Sequence, residues 1–271
     1  KSSNGTDEGT VSFELFQPLK QRKVSSTWFP QLLGIGGYNT CGDKLLEWSG
    51  LLKGDAFNNY YTLRGEVAER LLVDGLTRKG FVAKRYGAKE YNYDLFQYDE
   101  HDEKKSNKLF KYFGGLPDVV YKDAEGKINL LEVKSKDMSK KEQIETDPPM
   151  YEIMQGKQLG LLYGVDNVVM TYVLFSDTVA RNMYLSMDNN EKFHLEKSIE
   201  SFNERMPELK YGEDYIVLKK VYPIRKSELL EQMKEAYKYA DGFRQTQTIA
   251  IKDLSKGVFH DIFLLEQELE N

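Results

Sequence analysis

Cysteine and long apolar runs are what this sequence has least of. Its 271 residues include one cysteine, Cys41, which excludes an internal disulfide and any four-cysteine zinc or iron–sulfur site within one chain. No apolar run approaches the roughly 20 residues that a membrane-spanning helix needs. No charged and then apolar leader is visible at the start. The sequence therefore predicts a soluble, intracellular protein without a membrane partner.

The overall composition is that of a globular protein, with 40% hydrophobic and 30% charged residues. The length is sufficient to bury a sizeable core, and we find neither an internal repeat nor a low-complexity tract. We predict a single domain over 1–271 with a helical C-terminal part over 190–271. The stretch 1–10 is polar and rich in small residues, which predicts a disordered start.

Basic residues are clustered, although the net charge is −5. Local groups of bases matter more for phosphate binding than the total charge does. The alternative is a set of solvated surfaces, which is the usual role of a lysine run. The three groups are Arg78, Lys79, Lys84 and Arg85; Lys104, Lys105, Lys108 and Lys111; and Lys134, Lys136, Lys140 and Lys141.

The stretch from 116 to 136 predicts a β-hairpin, with one strand over 116–122, a turn over 123–126 and a second strand over 127–136. Side chains alternate along a strand, so Glu132 and Lys134 point to one face. Apolar neighbours indicate that this face is largely covered. Charges on a covered face need partners, because their desolvation is costly.

The hairpin predicts a metal site for phosphodiester hydrolysis. Asp118, which follows Pro117, and Glu132 are hard oxygen ligands for Mg²⁺ or Mn²⁺, and the Val133 carbonyl is a natural third ligand. Lys134 can orient or deprotonate the attacking water, or stabilise charge on the phosphate. The alternative is a surface hairpin with a Glu132–Lys134 ion pair, since short motifs recur by chance.

Pro117-Asp118 followed by Glu132-Val133-Lys134 resembles the PD-(D/E)XK nuclease signature. Further segments are similar, in the family's order over 16–163, to the lambda-type, YqaJ-like exonucleases of viruses and phages. These segments are Val24-Ser-Ser-Thr-Trp-Phe-Pro-Gln-Leu-Leu-Gly34 with Tyr38-Asn-Thr40, Arg64-Gly-Glu-Val-Ala-Glu69, and the weaker match Met154-Gln155.

The resemblance implies an α/β fold with a central mixed β-sheet flanked by helices, the restriction-endonuclease-like core. It implies Mg²⁺-dependent digestion of linear duplex DNA from its ends, 5′ to 3′, leaving 3′ overhangs for recombination. Mn²⁺ is expected to substitute, and the implied partners are further copies in a homotrimer and a single-strand annealing protein. Two alternatives are a structure- or sequence-specific endonuclease of the same superfamily and a non-catalytic DNA-end-binding protein.

Two further residues join the candidate site through the resemblance. Glu69 lies at the edge of the apolar stripe of a helix over 58–76 and needs a cation; the resemblance makes it an additional acid at the metal centre. Gln155 lies on the inner face of a helix over 151–163. In similar enzymes a glutamine here orders the catalytic lysine or water. The alternatives are a partly exposed glutamate and a buried amide bonded to backbone.

The segment Ser25, Ser26 and Thr27 predicts an N-cap for a helix ending near Leu33. A helix start with free N–H groups can bind an anion. In the resembling enzymes this segment and a preceding basic residue lie near the terminal phosphate of DNA, which makes Lys20 or Arg22 the phosphate anchor. An ordinary N-cap is the alternative. Two departures concern this role: Leu116 stands where the lambda-type enzyme has a serine, and Lys20 stands where an arginine is expected.

The remaining pattern predicts alternating strands and helices. His101-Asp-Glu103 lies in a charged loop, which favours a solvated turn over a metal cluster. The stretch 135–149 is polar and predicts a flexible connection. Glu66 and Arg70 predict an ion pair on the solvent side of the helix over 58–76. Strands are predicted over 81–86, 91–98, 167–175 and 215–221, and helices over 40–49, 191–206, 227–240 and 259–269.

Overall fold

A computed structural model describes residues 9–36, 39–54 and 58–270, with side chains described as far as residue 264. The predicted disordered start up to position 8 lies outside the described residues, as does Tyr38 of the resembling segments. Within the described part, no helix is long and apolar enough to cross a membrane.

The chain divides into two compact units. The unit termed here the terminal unit comprises Lys1–Asp55, Gln97–Gly114 and Lys226–Asn271. The unit termed the sheet unit comprises Ala56–Phe96 and Gly115–Arg225, and it contains the whole predicted hairpin.

The elements follow one another in chain order across both units. The strands are β1 (Thr10–Ser12), β2 (Val24–Ser25), β3 (Val82–Arg85), β4 (Phe113–Gly114), β5 (Val119–Lys122), β6 (Ile128–Asp137), β7 (Asn167–Phe175), β8 (Tyr215–Pro223) and β9 (Thr248–Ala250). The α-helices are α1 (Trp28–Leu32), α2 (Cys41–Ser49), α3 (Asn59–Arg78), α4 (Lys141–Thr146), α5 (Met150–Tyr163), α6 (Asp177–Ser186), α7 (Leu195–Arg205), α8 (Lys226–Thr246) and α9 (Lys256–Glu270). Short 3₁₀ helices occupy Lys108–Lys111, Met138–Lys140 and Ile251–Asp253.

The sheet unit is built on a five-stranded sheet in the order β3-β5-β6-β7-β8. β5 and β6 form the predicted antiparallel hairpin, and the Asp123 N–H closes its turn by donating to the Lys127 carbonyl at 3.0 Å. β6 pairs in parallel with β7, which pairs antiparallel with β8. Together with helices on both faces, this confirms the predicted α/β fold with a central mixed sheet flanked by helices.

Helix α3 covers one face of the sheet. Asn58 begins it, because its side chain accepts a hydrogen bond from the Tyr60 N–H at 3.1 Å, as an N-cap does. Leu63 and Val67, one turn apart, are buried in one apolar cluster with Leu131 and Val133 of β6. The predicted helix over 58–76 and the inward direction of the two β6 residues are thereby confirmed.

Helix α5 covers the opposite face at very close range. Gly156 makes this approach possible: a Cβ there would lie 2.9 Å from the Met170 sulfur and 3.2 Å from the Glu132 Cβ. Real Cβ atoms rarely come this close, so a side chain at 156 would force the helix outward. The glycine therefore sets the distance between α5 and the β6 face that carries Glu132.

Two secondary-structure predictions are wrong, a strand over 91–98 and a flexible connection over 135–149. The stretch 91–98 is a series of turns and not a strand, because Asn92 and Tyr93 have φ angles of 48° and 61°, outside the β region. The stretch 135–149 is not a flexible connection. β6 continues to Asp137, and a 3₁₀ turn and α4 follow, because charged residues there find partners that the sequence does not reveal.

The terminal unit has two small sheets and helical packing of its own. β1 pairs antiparallel with β9, and β2 pairs in parallel with β4. Helix α2 begins as predicted, with Thr40 accepting from the Asp43 N–H at 3.3 Å. The Trp48 indole N–H donates to the Lys23 carbonyl at 3.1 Å and ties α2 to the segment before β2. A turn follows α1 at Gly34, whose φ is +72°.

Candidate active site

A hydrogen bond from the backbone of β6 holds Asp118 beside the residue that follows Glu132. The pairing of β5 with β6 stops at Val119 opposite Leu131, so Val133 lies beyond the end of β5. Its N–H donates instead to Asp118 Oδ2 at 2.7 Å. The N–H and C=O of a strand residue point to the same side, so the Val133 carbonyl also faces the Asp118 side. The end of β5 therefore brings together the predicted carboxylates and carbonyl.

Lys134 links the second carboxylate to helix α5. Its ammonium donates to Glu132 Oε1 at 2.7 Å and to Gln155 Oε1 at 3.1 Å. Glu132 is buried at 1% exposure, whereas the side chain of Lys134 is 20% exposed. The structure thus places Gln155 beside the lysine, as the sequence predicts. Its part in catalysis stays a prediction.

The two hairpin carboxyls are electrostatically costly where they lie. Burial raises the pKa of Asp118 to about 7, and the Glu69 carboxylate adds to the rise while Lys134 opposes it. Burial also raises the pKa of Glu132 to about 7; the Asp118 carboxylate adds to this and Lys134 opposes it. A cation at this position would relieve both burial and repulsion.

Lys134 is held in its charged form by the same neighbours. Burial alone would lower its pKa, but the Glu132 and Asp118 carboxylates outweigh burial and raise the pKa of Lys134 above its usual value. As long as both carboxylates are ionised, the side chain is therefore a fixed ammonium and a hydrogen-bond donor.

Glu69 finds its cation in Arg85, a residue that sequence reasoning placed only in a basic cluster. The Arg85 Nε donates to Glu69 Oε2 at 2.6 Å, and its Nη2 donates to Glu66 Oε2. Burial raises the pKa of Glu69 to about 7 although Arg85 opposes the rise. Glu66 also pairs with Arg70 as predicted, but its side chain is only 11% exposed, so its predicted place on the solvent side is wrong. A metal-binding role for Glu69 stays a prediction.

Arg64 is a further buried charge that the sequence did not single out, although it opens one of the resembling segments. It is 6% exposed, and its guanidinium donates to Asp137 Oδ1 at 2.8 Å and to the Ser135 carbonyl at 3.0 Å. These bonds fasten the end of β6 to α3. They explain why the polar stretch after Lys134 is ordered.

A second ion pair lies on the Glu132 face of β6. The Lys136 ammonium donates to Glu152 Oε1 at 2.5 Å, and the Tyr151 hydroxyl donates to the same oxygen at 3.1 Å. Sequence reasoning missed this pair. The signal available was the alternation that puts Lys136 on the face of Glu132 and Lys134.

The donor set fits a hard divalent cation. Glu132 Oε2 is buried and has no hydrogen-bond partner within the described part of the chain, which leaves a carboxylate oxygen available as a ligand. In that same part, no three acidic, histidine or cysteine side chains are grouped closely enough to hold a metal by themselves. Two carboxylates would therefore need the Val133 carbonyl and water to complete the coordination.

The predicted phosphate segment lies in the terminal unit and differs from the expectation. Ser25 belongs to β2, and the five-residue helix α1 starts after Thr27, whose side chain makes no capping hydrogen bond. Thr27 is therefore the N-cap by position, as predicted, but the side-chain hydrogen bond expected of an N-cap is absent. Ser26 is buried, Arg22 donates to the Trp48 carbonyl at 2.9 Å, and Lys20 is exposed. A phosphate role for these residues stays a prediction.

Comparison with known proteins gives structural similarity only. No protein-family model matches the chain, and no curated protein matches its sequence. The chain is similar to the alkaline exonuclease LHK-Exo from Laribacter hongkongensis, at 12% identity and a TM-score of 0.43 over 83% of this chain and 89% of that one. The complex of LHK-Exo with dAMP is similar at 13% identity and a TM-score of 0.46, over the same 83% of this chain and 89% of that one. A phage-related exonuclease from Haemophilus somnus 129PT is similar at 16% identity and a TM-score of 0.48, over 83% and 95%.

Proposed function

We propose that this protein is a Mg²⁺-dependent deoxyribonuclease that hydrolyses phosphodiester bonds. The observation that supports this best is the grouping of Asp118, Glu132 and Lys134 at the end of β5, where the Val133 N–H donates to Asp118 and the Lys134 ammonium donates to Glu132. A pair of carboxyls with raised pKa values, one buried and one partly buried, beside a fixed ammonium is costly for folding. Such sites are commonly retained for chemistry.

Each residue of the site has a distinct part in this proposal. Asp118, Glu132 and the Val133 carbonyl would hold the cation, with Glu69 as an additional acid nearby. When bound, Mg²⁺, or Mn²⁺ in its place, supplies Lewis-acid activation and neutralises phosphate charge. Lys134 donates to the attacking water or to the phosphate, where negative charge grows in the transition state. Gln155 orients the lysine by accepting a hydrogen bond from its ammonium.

The substrate proposal rests on the resembling segments over 16–163, which follow one another in the order found in the lambda-type exonucleases. By their resemblance, the enzyme would digest linear duplex DNA from its ends, 5′ to 3′, and leave 3′ overhangs for recombination. The same resemblance extends the proposal to a homotrimer around DNA, to a single-strand annealing protein as partner and to activity inside a cell. The ends would be recognised by Ser25, Ser26 and Thr27 with a preceding base, Lys20 or Arg22.

The test incubates the protein with end-labelled linear duplex and with closed circular DNA, with and without Mg²⁺. We expect Mg²⁺-dependent loss of the linear substrate only, and no turnover by Asp118→Ala or Glu132→Ala although DNA binding stays measurable. Cleavage of closed circles would instead indicate an endonuclease. Binding without cleavage would indicate a DNA-end-binding protein. Near wild-type cleavage by either variant would refute the site assignment.

A further inference from the structure

Strand β6 carries a second lysine in line with the first. Side chains of one strand face repeat every two residues, about 7 Å apart, so Lys136 follows Lys134 on the face of Glu132. Consecutive phosphates of one strand are about 3.4 Å apart along the axis of B-DNA and are also rotated about it, so the direct distance between them is longer and of the order of one strand repeat. A lysine one strand repeat beyond Lys134 can therefore reach the phosphate next to the one that Lys134 serves.

Helix α5 provides one acceptor for each of these lysines. Gln155 Oε1 accepts from Lys134 at 3.1 Å, and Glu152 Oε1 accepts from Lys136 at 2.5 Å. Glu152 and Gln155 are three residues apart, which puts them on neighbouring turns of one helix face. Because α5 lies close to β6, one side chain of α5 accepts a hydrogen bond from each of the two ammonium groups and holds it in place.

The two members of the second pair differ in exposure. The Glu152 side chain is 3% exposed, whereas that of Lys136 is 24% exposed, similar to the 20% of Lys134. The carboxylate is therefore covered by protein, and the ammonium stays open to an incoming ligand. An ammonium has three N–H donors, and within the described residues the Lys136 ammonium makes no side-chain hydrogen bond other than the one to Glu152.

A purely structural role explains this arrangement less well. A buried ion pair contributes little net stability, because desolvation offsets the attraction. Here the chain keeps a covered carboxylate and adds the Tyr151 hydroxyl at 3.1 Å to the same oxygen. The effect of these contacts is to hold a partly exposed donor in one place. This is what a residue that binds a phosphate oxygen requires.

We propose that Lys136 binds the phosphate next to the scissile one, and that Glu152 is a positioning residue that holds Lys136 for this contact. The inference rests on the proposed nuclease function and adds a specific substrate contact to it. Lys136 contacts the nucleic-acid backbone and not the reacting atoms. Its removal should therefore raise KM more than it lowers kcat.

The experiment uses the full chain, Mg²⁺ and linear duplex DNA with one methylphosphonate linkage, which replaces a charged phosphate oxygen by a methyl group. Time courses on denaturing gels give the rate of each successive cleavage. Wild type should stop at the neutral linkage itself and be slowed about tenfold at one adjacent step, the loss expected for one charge-assisted hydrogen bond. Wild type that does not cut unmodified DNA would refute the proposed function itself.

Three variants then test whether Lys136 causes the slower cleavage next to the neutral linkage. Lys136→Met should raise KM about tenfold on unmodified DNA. On the modified DNA, this variant should cleave the bond adjacent to the neutral linkage no more slowly than the other bonds. Lys136→Arg should restore both properties in large part. Lys127→Met is the matched control, because Lys127 is an exposed lysine immediately before the same strand and belongs to none of the three basic groups. It should keep the wild-type pattern.

Glu152→Gln tests the positioning role, because the amide keeps the size of the side chain and an oxygen acceptor. It should raise KM in the wild-type background and add no further effect in the Lys136→Met background. If Lys136→Met keeps the extra slow step, or lowers kcat and thermal stability with KM unchanged, the lysine is structural and the proposal is wrong. An additive effect of Glu152→Gln in both backgrounds would equally overturn the positioning role.

Discussion

Asp118→Asn should make the metal-free protein more stable, although it removes a carboxylate of the candidate active site. The side chain is partly buried and near Glu69, and these two effects raise its pKa from 3.8 to about 7. An acid with a raised pKa in the folded state is stabilising while it is protonated, and that stability is lost as the pH rises towards 7. Asparagine has no charge to desolvate and keeps an oxygen that can accept from the Val133 N–H.

The magnitude follows from the pKa. A rise from 3.8 to about 7 corresponds to an upper limit of about 4 kcal/mol. Asp118, Glu132 and Glu69 are coupled in their titration, so part of this free energy arises from all three carboxyls and is not removed by replacing Asp118 alone. We expect Asp118→Asn to exceed wild type by about 2 kcal/mol at pH 8 in EDTA, and the difference to fall towards zero near pH 4.

The assay is thermal and urea unfolding at pH 4, 5, 6, 7 and 8 in EDTA, repeated at pH 8 with Mg²⁺. Mg²⁺ should stabilise wild type, because the proposed site exists only in the folded state, and should not stabilise the variant. Asp123→Asn is the matched control, since Asp123 lies in the turn of the same hairpin and the Asn129 amide holds the pKa of its carboxyl below the usual value. This control should be less stable than wild type above pH 4. A variant no more stable than wild type at pH 8, or a difference independent of pH, would refute the reasoning.

Three further predictions concern catalysis, packing and DNA ends. Lys134→Ala should lower the cleavage rate by orders of magnitude while Mg²⁺ still stabilises the protein at pH 8; loss of that stabilisation would mean that the lysine is structural. Gly156→Ala should cost about 1–3 kcal/mol in unfolding experiments and lower activity, because its Cβ would lie 2.9 Å from a side-chain atom of β7. Gly75→Ala, in α3 with open space around it, should instead stabilise by about 0.5–1 kcal/mol. Replacing Lys20 and Arg22 by alanine should reduce any preference for 5′-phosphorylated over 5′-hydroxyl ends in initial digestion rates; equal wild-type rates on both ends would exclude the phosphate anchor.

Patterns confined to one element were readable from the sequence. The hairpin needed only alternation and a turn rich in small and acidic residues, and β6 follows it closely. Helix α3 needed only an apolar repeat. β7 needed only a run of β-branched and apolar residues. In each of these cases the information lies within about 20 neighbouring positions.

Patterns that depend on backbone conformation at single residues were not readable. The aromatic alternation over 91–98 favours a strand, yet Asn92 and Tyr93 adopt left-handed angles. The serine and threonine residues before α1 favour an N-cap, yet Ser25 pairs in β2 with Gly114. The pairing of Ser25 is a contact outside the local window, which local propensity does not reveal. The turns at Asn92 and Tyr93 are instead closed locally, as by the hydrogen bond from the Tyr93 N–H to the Ala88 carbonyl at 2.8 Å.

The sequence by itself determined the hairpin and the alternation that puts Glu132, Lys134 and Lys136 on one face, because both follow from the geometry of a single chain segment. Only the tertiary structure decided which charges meet. Arg85 pairs with Glu69, Arg64 fastens the end of β6, and Glu152 holds Lys136. These pairs join positions 16 to 73 residues apart. Charge pairing at such separations depends on how the elements pack in three dimensions, and the spacing of residues along the chain does not encode it.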